Sequence, residues 1–289
     1  MNIQWYPGHM TKARRAMKED IKLIDLVIEL VDARVPLSSR NPDIDDLAKG
    51  KARMVLLNKS DLADERLNAM WAAWFESQNI HVVKIDARNK GTLKQVQSVV
   101  QEACKEKIER DRKRGILNRP IRTMVVGIPN VGKSTFINSF AGKACAKTGN
   151  KPGVTKGNQW IRLNKTLELL DTPGILWPRF EDQSVGLKLA LIGSINDQIL
   201  NKDELAGQCI RILKNQYPGT LSDRFGLESE DKEPAAILED VARARSCLMK
   251  GGELDIARAA ALLLDDFRAG KLGRVTLEKP GDYEDKKQK

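Results

Sequence analysis

The sequence is short of the residues and patterns on which several classes of protein depend. Its four cysteines are scattered, and no two have the C-x-x-C spacing of a zinc or redox site. We therefore expect neither bound zinc nor disulfides, and a reducing compartment. No apolar run approaches the roughly 18 residues of a membrane-spanning helix. No apolar leader precedes Glu19 and Asp20 either. The sequence predicts a cytoplasmic protein with no membrane contact.

Basic residues are in excess, and they are unevenly distributed. The formal net charge is +10, and the surplus lies in the first 183 residues, because acids and bases nearly balance from Ser184 onward. Three segments concentrate the positive charge: residues 12–22, 105–122 and 143–165. Such a surplus predicts a polyanionic partner. A merely solvated basic surface is the alternative.

One glycine-rich stretch organises the rest of the chain. Residues 127–134 read G-I-P-N-V-G-K-S, which matches the phosphate-binding pattern G-x-x-x-x-G-K-[ST]. An apolar run at 123–126 precedes it and a helical pattern at 135–140 follows, giving strand, loop and helix. The N–H groups of such a loop and the helix N-terminus bind a phosphate chain. The residues predicted to contact it are Asn130, Val131, Gly132, Lys133, Ser134 and Thr135, with Lys133 at the β- and γ-phosphates and Ser134 on Mg²⁺.

A second motif selects the base. Asn58-Lys59-Ser60-Asp61 ends a predicted buried strand and matches N-K-x-D. The aspartate accepts hydrogen bonds from N1–H and the N2 amine of guanine, a donor pair that adenine lacks. Asp86-Ala87-Arg88, at the end of the next strand, resembles the loop whose backbone N–H contacts the guanine oxygen, which assigns that contact to Ala87. The sequence therefore predicts GTP and GDP as ligands, and Asp61 disfavours a P-loop kinase or ATPase.

Two further segments complete the expected metal site. Asp171-Thr172-Pro173-Gly174 follows another strand, so Asp171 would hold Mg²⁺ through water and the Gly174 N–H would sense the γ-phosphate. We call Gly174 and the residues that follow it the second switch, and the residues around Thr155 the first switch. Thr155 follows a Pro-Gly pair and is the candidate switch threonine that binds Mg²⁺ when GTP is present. A Pro-Gly turn with an incidental threonine is the alternative for Thr155.

The order of the motifs departs from that of Ras-like GTPases, because both guanine loops precede the phosphate loop. The sequence therefore predicts a circularly permuted GTPase. Six predicted strands, mostly separated by helices, indicate a doubly wound, mostly parallel α/β sheet with its ligand at the carboxyl ends of the strands. Only helical patterns follow Gly174, so a small all-α domain should follow the sheet. We expect a GTPase domain over residues 1–180 with an arm at 1–10, a helical domain at 181–280 and a frayed tail at 281–289.

With Trp5-Tyr6-Pro7-Gly8-His9-Met10 at its start and the motifs in permuted order, the chain resembles the YlqF, or ribosome biogenesis GTPase A, family along nearly its whole length. The resemblance implies an assembly factor for the large ribosomal subunit that acts on late precursors. It also implies stimulation by ribosome and ribosomal RNA binding, and an RNA-contacting helical domain. The balanced charge of that domain argues against a purely electrostatic role. We expect a monomer.

The hydrolytic machinery has a gap. In Ras the residue after D-x-x-G is a glutamine that orients water, whereas this chain has Ile175, so hydrolysis by the protein alone should be slow. The resemblance suggests that His9 approaches the γ-phosphate; a structural histidine is the alternative. Asn130 is the second candidate, because G-x-P-N-x-G-K-S resembles the loop of potassium-activated GTPases. Beside Lys133, His9 and Asn130 are thus the predicted catalytic residues, and K⁺ joins Mg²⁺ as an expected cofactor.

The basic segments near the arm and the first switch suggest where RNA would bind. The candidate contacts are Lys12, Arg14, Arg15, Lys147, Lys151 and Lys156. Two other functions stay open at this point. The chain could be a GTPase switch for another RNA-linked task, or an RNA-binding protein with a passive GTP.

Replacing Asp61 by Asn should remove the preference for guanine, because an amide cannot accept both donors of the base. We expect the ratio of GDP to ADP affinity to fall by at least about 100-fold. Competition of each nucleotide against a fluorescent GDP analogue measures the ratio. An unchanged ratio would exclude Asp61 from base recognition.

Overall fold

The computed structural model describes residues 3, 8–117, 119–146, 158–177 and 180–282. The side chain of His9 lies outside this description, although its backbone belongs to a helix. Four of the predicted site residues also lie outside the described ranges: Lys147, Lys151, Thr155 and Lys156.

The strands form one sheet of six members in the order β3-β2-β1-β4-β6-β5. Their bounds are β1 Leu26–Asp32, β2 Ala52–Asn58, β3 His81–Lys84, β4 Ile121–Gly127, β5 Gln159–Arg162 and β6 Leu167–Asp171. All neighbours run parallel except β5, which lies antiparallel to β6 at one edge. The predicted six-stranded, mostly parallel α/β sheet is confirmed.

Helices cover the sheet and then make up the C-terminal part. Their bounds are α1 Gly8–Asp20, α2 Asp43–Leu47, α3 Glu65–Glu76, α4 Lys90–Ala103, α5 Lys105–Lys113, α6 Lys133–Ala141, α7 Gln183–Leu191, α8 Lys202–Gln216, α9 Thr220–Phe225, α10 Pro234–Ala244 and α11 Ile256–Arg268. Beyond β6, the described ranges contain no further strand, only an isolated bridge between Leu248 and Leu254. None of the helices in these ranges is long and apolar enough to cross a membrane.

Apolar spacing and capping residues predict one long helix from residue 91 to about 114, a first helix capped by Thr11 and an inward-facing Met70. The structure corrects all three predictions. The long helix predicted from residue 91 to 114 is interrupted at Cys104, which separates α4 from α5. The first helix begins at Gly8 and not at Thr11. Met70 was predicted to face inward but is 42% exposed. The buried apolar stripe of α3 follows a spacing of four at Leu67, Trp71 and Phe75, which leaves Met70 on its flank.

A buried ionic cluster divides the core on one face of the sheet. Glu29 lies in β1, which is buried at every position, and its carboxylate contacts Arg40 at 3.1 Å and Arg53 at 3.7 Å. Burial outweighs both cations and raises the pKa of Glu29 above its usual value. A small apolar cluster around Trp71 and Phe75 is thereby separate from the main core.

The main core continues from the sheet into the helical region, and the chain after α11 returns to the sheet. We call residues 271–279 the C-terminal strap. Its Val275 N–H donates to Leu62 O at 3.0 Å, and its Leu277 N–H donates to Arg34 O at 2.7 Å. Main-chain hydrogen bonds therefore attach the strap to the loops that follow β1 and β2.

Glu278 fixes the end of the strap. Its buried carboxylate accepts hydrogen bonds from the Leu37 N–H at 2.8 Å and from the N–H and hydroxyl of Ser38. It also lies 3.2 Å from Lys188 Nζ in α7. The backbone carbonyl of Glu278 accepts from Trp71 Nε1–H at 3.0 Å. A carboxylate bonded in this way joins α7, the strap and the loop after β1 in one network.

Replacing Glu278 by Gln should lower the free energy of unfolding by about 2 kcal/mol, because charge-assisted bonds to buried N–H groups are lost. Urea unfolding measures the change. Glu228→Gln, at an exposed position, is the matched control and should have little effect. Equal stability of the two variants would contradict the role given to Glu278.

Candidate nucleotide-binding site

The predicted motifs meet at the carboxyl ends of the strands. Parallel strands present their carboxyl ends on the same side, and β1, β2, β4 and β6 end there at Asp32, Asn58, Gly127 and Asp171. The loops that continue from these ends therefore lie side by side, although the guanine and phosphate motifs are far apart in the sequence. This is the edge at which doubly wound sheets bind ligands.

The phosphate loop passes so close to its neighbours that two of its contacts require glycine. Gly132 has a φ of +97°, and a Cβ on it would lie 2.4 Å from Asn58 Nδ2. A Cβ on Gly174 would lie 2.9 Å from Pro129 Cα, so the segment after β6 touches the phosphate loop. The loop leads directly into α6, whose first N–H groups lack helical acceptors and favour an anion.

Asn58 joins three loops through one side chain. Its Nδ2 donates to Val131 O in the phosphate loop at 2.7 Å, and its Oδ1 accepts from Ala87 N–H at 2.9 Å. The Ser60 hydroxyl adds a bond to Ile85 O at 3.0 Å. The N–H that sequence reasoning assigned to the guanine oxygen thus donates to Asn58 in this structure. The geometry of the guanine loops and that of the phosphate loop depend on each other.

Asp61 has one carboxylate oxygen engaged and one without a partner. Its Oδ2 lies 2.6 Å from Arg88 NH2, while its Oδ1 is buried and accepts no hydrogen bond from the part of the chain that the structure describes. Arg88 is held in turn by Asp86, whose Oδ1 lies 2.9 Å from Arg88 Nε. A buried unpaired acceptor is costly, and a guanine N–H donor would satisfy it.

Lys59 belongs to an ionic group that sequence reasoning missed. Its Nζ contacts Asp32 Oδ2 at 2.9 Å and donates to Asn130 O at 3.1 Å, and Asp32 also pairs with Arg34 at 2.8 Å. Burial alone would raise the pKa of Asp32, but Arg34 and Lys59 outweigh it and hold that pKa well below its usual range. One signal was present in the sequence: Asp32 ends β1 as Asn58 ends β2 and Asp171 ends β6.

The residues expected to hold Mg²⁺ offer the right chemistry. Asp171 is buried and its Oδ1 lies 2.9 Å from Lys133 Nζ, while Ser134 follows Lys133 at the start of α6. A carboxylate and a hydroxyl are the oxygen ligands that Mg²⁺ prefers, and it completes its shell with water and substrate phosphates. Within the described residues no group of three or more His, Cys, Asp or Glu side chains could bind a metal by itself. The donor set therefore fits a metal ion that is shared with a nucleotide.

Asn130 faces the helical region. Its Nδ2 donates to Gly193 O at 2.7 Å, in the turn after α7. A cavity of about 760 Å³ lies beside this contact, lined by Lys59 and Asn130 on one side and by Gly193, Asp197 and Arg268 on the other. The phosphate loop therefore touches the helical region directly.

The segment after Gly174 is held against the N-terminal helix. Ile175 is only 3% exposed and its N–H donates to Gly127 O at 3.3 Å, so its side chain is part of the core. The Leu176 N–H donates to Met10 Sδ at 3.4 Å. The backbone of α1 next to His9 is thereby placed beside the second switch.

The predicted RNA contacts differ in how available they are. Lys12 and Arg15 are exposed on α1. Arg14 pairs with Asp43 at 2.7 Å and links α1 to α2. That ion pair gives Arg14 a structural partner which sequence reasoning did not foresee.

Comparison with known proteins shows that the chain is similar to ribosome-associated GTPases. The family described as "50S ribosome-binding GTPase" matches residues 122–242. The chain is 48% identical to Ribosome biogenesis GTPase A of Bacillus cereus over 283 residues, which cover 98% of this chain and 96% of that protein. It is 33% identical to Mitochondrial ribosome-associated GTPase 1 of Xenopus tropicalis, covering 95% and 94% of the two chains. The crystal structure of GNP-bound YlqF from T. maritima superposes with a TM-score of 0.66 at 30% identity, covering 93% of this chain and 98% of that one.

Gly132→Ala should weaken GDP binding, because the new Cβ would displace the Asn58 amide. Gly142→Ala is the matched control: Gly142 caps the same helix with a φ of +69°, and a Cβ there would meet nothing within 4 Å. Both residues have a positive φ, but +97° lies beyond the αL region that includes +69°. The difference between the variants therefore reports the contact with Asn58 together with the extra backbone strain at Gly132. Loss of the Asn58 hydrogen bonds should cost about ten- to a hundredfold in affinity. Titration with a fluorescent GDP analogue measures it, and equal affinities would refute the explanation.

Proposed function

Because the chain belongs to the ribosome biogenesis GTPase A family, and is thus a GTPase, we propose that it acts in assembly of the large ribosomal subunit. It hydrolyses GTP slowly alone and faster on ribosome precursors. The observation that carries the nucleotide part is the junction at Asn58, which joins the guanine loops to the phosphate loop. The ribosomal part is supported by relatives that match almost the whole chain and are named for ribosome biogenesis.

Each part of the nucleotide would be bound by a different loop, according to its chemistry. Asp61 would accept the guanine donors through its unpaired Oδ1, with Lys59 beside the base. The phosphates would bind the N–H groups of residues 130–135 and the Lys133 ammonium. Ser134, Thr155 and Asp171 would hold Mg²⁺, which neutralises phosphate charge as it develops. Gly174, in contact with Pro129, would report the γ-phosphate.

The proposed dependence on a ribosome rests on the residues after Gly174. Ile175 is buried and apolar, so it cannot orient the attacking water. His9 would orient the attacking water instead, because the contact of Met10 with Leu176 brings the start of α1 to the second switch. Lys12 and Arg15 are exposed on the same helix, so RNA bound there would act on the segment that carries His9. With Lys147, Lys151 and Lys156 they make up the proposed RNA contact, whereas Arg14 also ties α1 to Asp43.

Asn130 would hold K⁺ beside the phosphates, where the cation supplies the positive charge that an arginine finger supplies in other GTPases. Asn130 also bonds to Gly193 in the helical region. A cation bound there would therefore contact a residue of the phosphate loop that is also hydrogen-bonded to the helical region. The proposed division into a GTPase domain to residue 180 and an RNA-contacting helical domain after it is consistent with this shared contact.

GTP hydrolysis measured with and without large-subunit precursors tests the function. The rate of GTP hydrolysis by the wild type should rise at least about 100-fold when the precursors are added. For comparison, an arginine finger supplied by a partner raises the rate about 10⁵-fold. His9→Ala should keep its GDP affinity and lose the acceleration. His81→Ala is the control, because His81 is the other of the two histidines. It begins β3 and so lies at the amino ends of the strands, away from the candidate site.

The outcomes separate the alternatives. A wild type that binds GTP but is not accelerated would leave an RNA-binding protein with a passive nucleotide. An accelerated His9→Ala would remove only the role of His9. Replacing K⁺ by Na⁺ in the same assay should abolish the gain if Asn130 holds K⁺, and an unchanged gain would exclude that role.

A further inference from the structure

The edge strand β5 carries an exposed tryptophan, Trp160, at the end of a row of buried side chains that crosses the sheet. Register aligns Val27 with Met124, Met124 with Leu170 and Leu170 with Trp160, so these four side chains lie on one face. Met17 of α1 lies over the inner part of this row, beside Val27 and Met124. Trp160 continues the row beyond the inner strands and is 41% exposed.

Two arginine residues lie on the same face of the sheet as this tryptophan. The Arg122 guanidinium lies over the indole, 5.6 Å from the ring centroid. The next row on the same face aligns Arg122, Glu168 and Arg162, in which Glu168 contacts Arg122 at 3.5 Å and Arg162 is exposed. A cation over an aromatic ring restrains its orientation. Trp160 is thus restrained by Arg122 and partly exposed, with a second cation two residues along the same strand at Arg162.

The same face of the sheet is covered in part by α1, whose apolar side packs against it. Met10, Ala13 and Met17 are the buried positions of that helix. Its exposed bases lie on the other side, at Lys12, Arg15, Lys18 and, just beyond the helix, Lys22. The end of α1 reaches β5, because Asp20 accepts a hydrogen bond from the Asn158 side chain. Glu19 pairs with Lys22 at 2.9 Å. A track of exposed positive charge therefore runs along α1, and the end of this helix contacts the residue that precedes β5.

We propose that Trp160 stacks an unpaired base of single-stranded RNA while Lys18 and Arg162 contact the flanking phosphates. This rests on the proposed function, since ribosomal RNA would supply the strand. Stacking on an aromatic side chain is open to every base, and a positive track follows the backbone. A duplex keeps its bases stacked inside and could use only the phosphate contacts.

Charge disfavours a protein partner at this surface. Lysine is depleted at protein–protein interfaces, whereas the exposed bases of α1 include Lys12, Lys18 and Lys22. The polyanionic backbone of RNA complements that charge, and its bases complement the ring. A nucleic-acid strand with exposed bases combines both features.

Binding of a fluorescein-labelled single-stranded RNA of about ten nucleotides, and of the duplex of the same sequence, tests the site. Trp160→Leu should weaken binding to the single strand about tenfold and leave the duplex unchanged. Trp160→Phe, which keeps an aromatic face, should retain most of the affinity. Met70→Leu is the control, because Met70 is 42% exposed elsewhere on the surface. Arg162→Gln should lower the salt dependence of binding both RNAs by about one phosphate contact.

The outcomes are distinct. Equal losses on single strand and duplex, or no loss on either, would overturn the stacking site, provided that GDP affinity shows a folded variant. The proposal also falls if Trp160→Leu leaves both RNAs unaffected but weakens binding to intact precursor particles, because the edge would then meet a protein. Failure of the wild type to accelerate GTP hydrolysis on precursors concerns the proposed function alone and leaves the RNA measurement standing.

Discussion

The amide of Asn58 makes the contacts on which the geometry of the candidate nucleotide site depends. It joins the end of β2 to the phosphate loop, 73 residues further along the chain, and also to the loop after β3. Both atoms of one amide are used, so neither neighbouring loop can shift alone without leaving a buried polar group unpaired. Gly132 permits this contact because it has no Cβ at the point where Asn58 approaches. The permuted order of the motifs is accommodated because strand ends, and not chain order, decide which loops meet.

The helical region contacts this site from two directions. Gly193 accepts a hydrogen bond from Asn130 in the phosphate loop, and the C-terminal strap binds the loops that follow β1 and β2. Glu278 connects the strap to α7 as well. These contacts give a physical path between nucleotide and helical region, because the residues that would surround GTP share buried bonds with it. The permuted order adds to this, since the second switch leads directly toward the helical region.

Much of the candidate nucleotide site could be predicted because its chemistry needs particular residue types at short fixed spacing. The phosphate loop, Asn58 to Asp61 and Asp171 to Gly174 are of this kind, and apolar runs predicted the strands that precede them. The pairs Asp61–Arg88 and Lys59–Asp32 could not be predicted in the same way. They depend on which loops are adjacent in space, and no local period encodes that adjacency. Met70 shows the same limit within one helix, because the direction of burial depends on the surface that the helix covers.

The sequence by itself determined the fold class, the guanine ligand and the absence of a Ras-like glutamine after Gly174. Each of these depends only on residue type and spacing. The tertiary structure alone decided which charged and aromatic groups are available to a partner. Arg14 is engaged by Asp43 and Arg34 is buried against Asp32, whereas Lys12 and Arg15 remain exposed. Trp160 is accessible because β5 lies at the edge of the sheet. Burial and partnership arise from packing between distant segments, and composition cannot specify them.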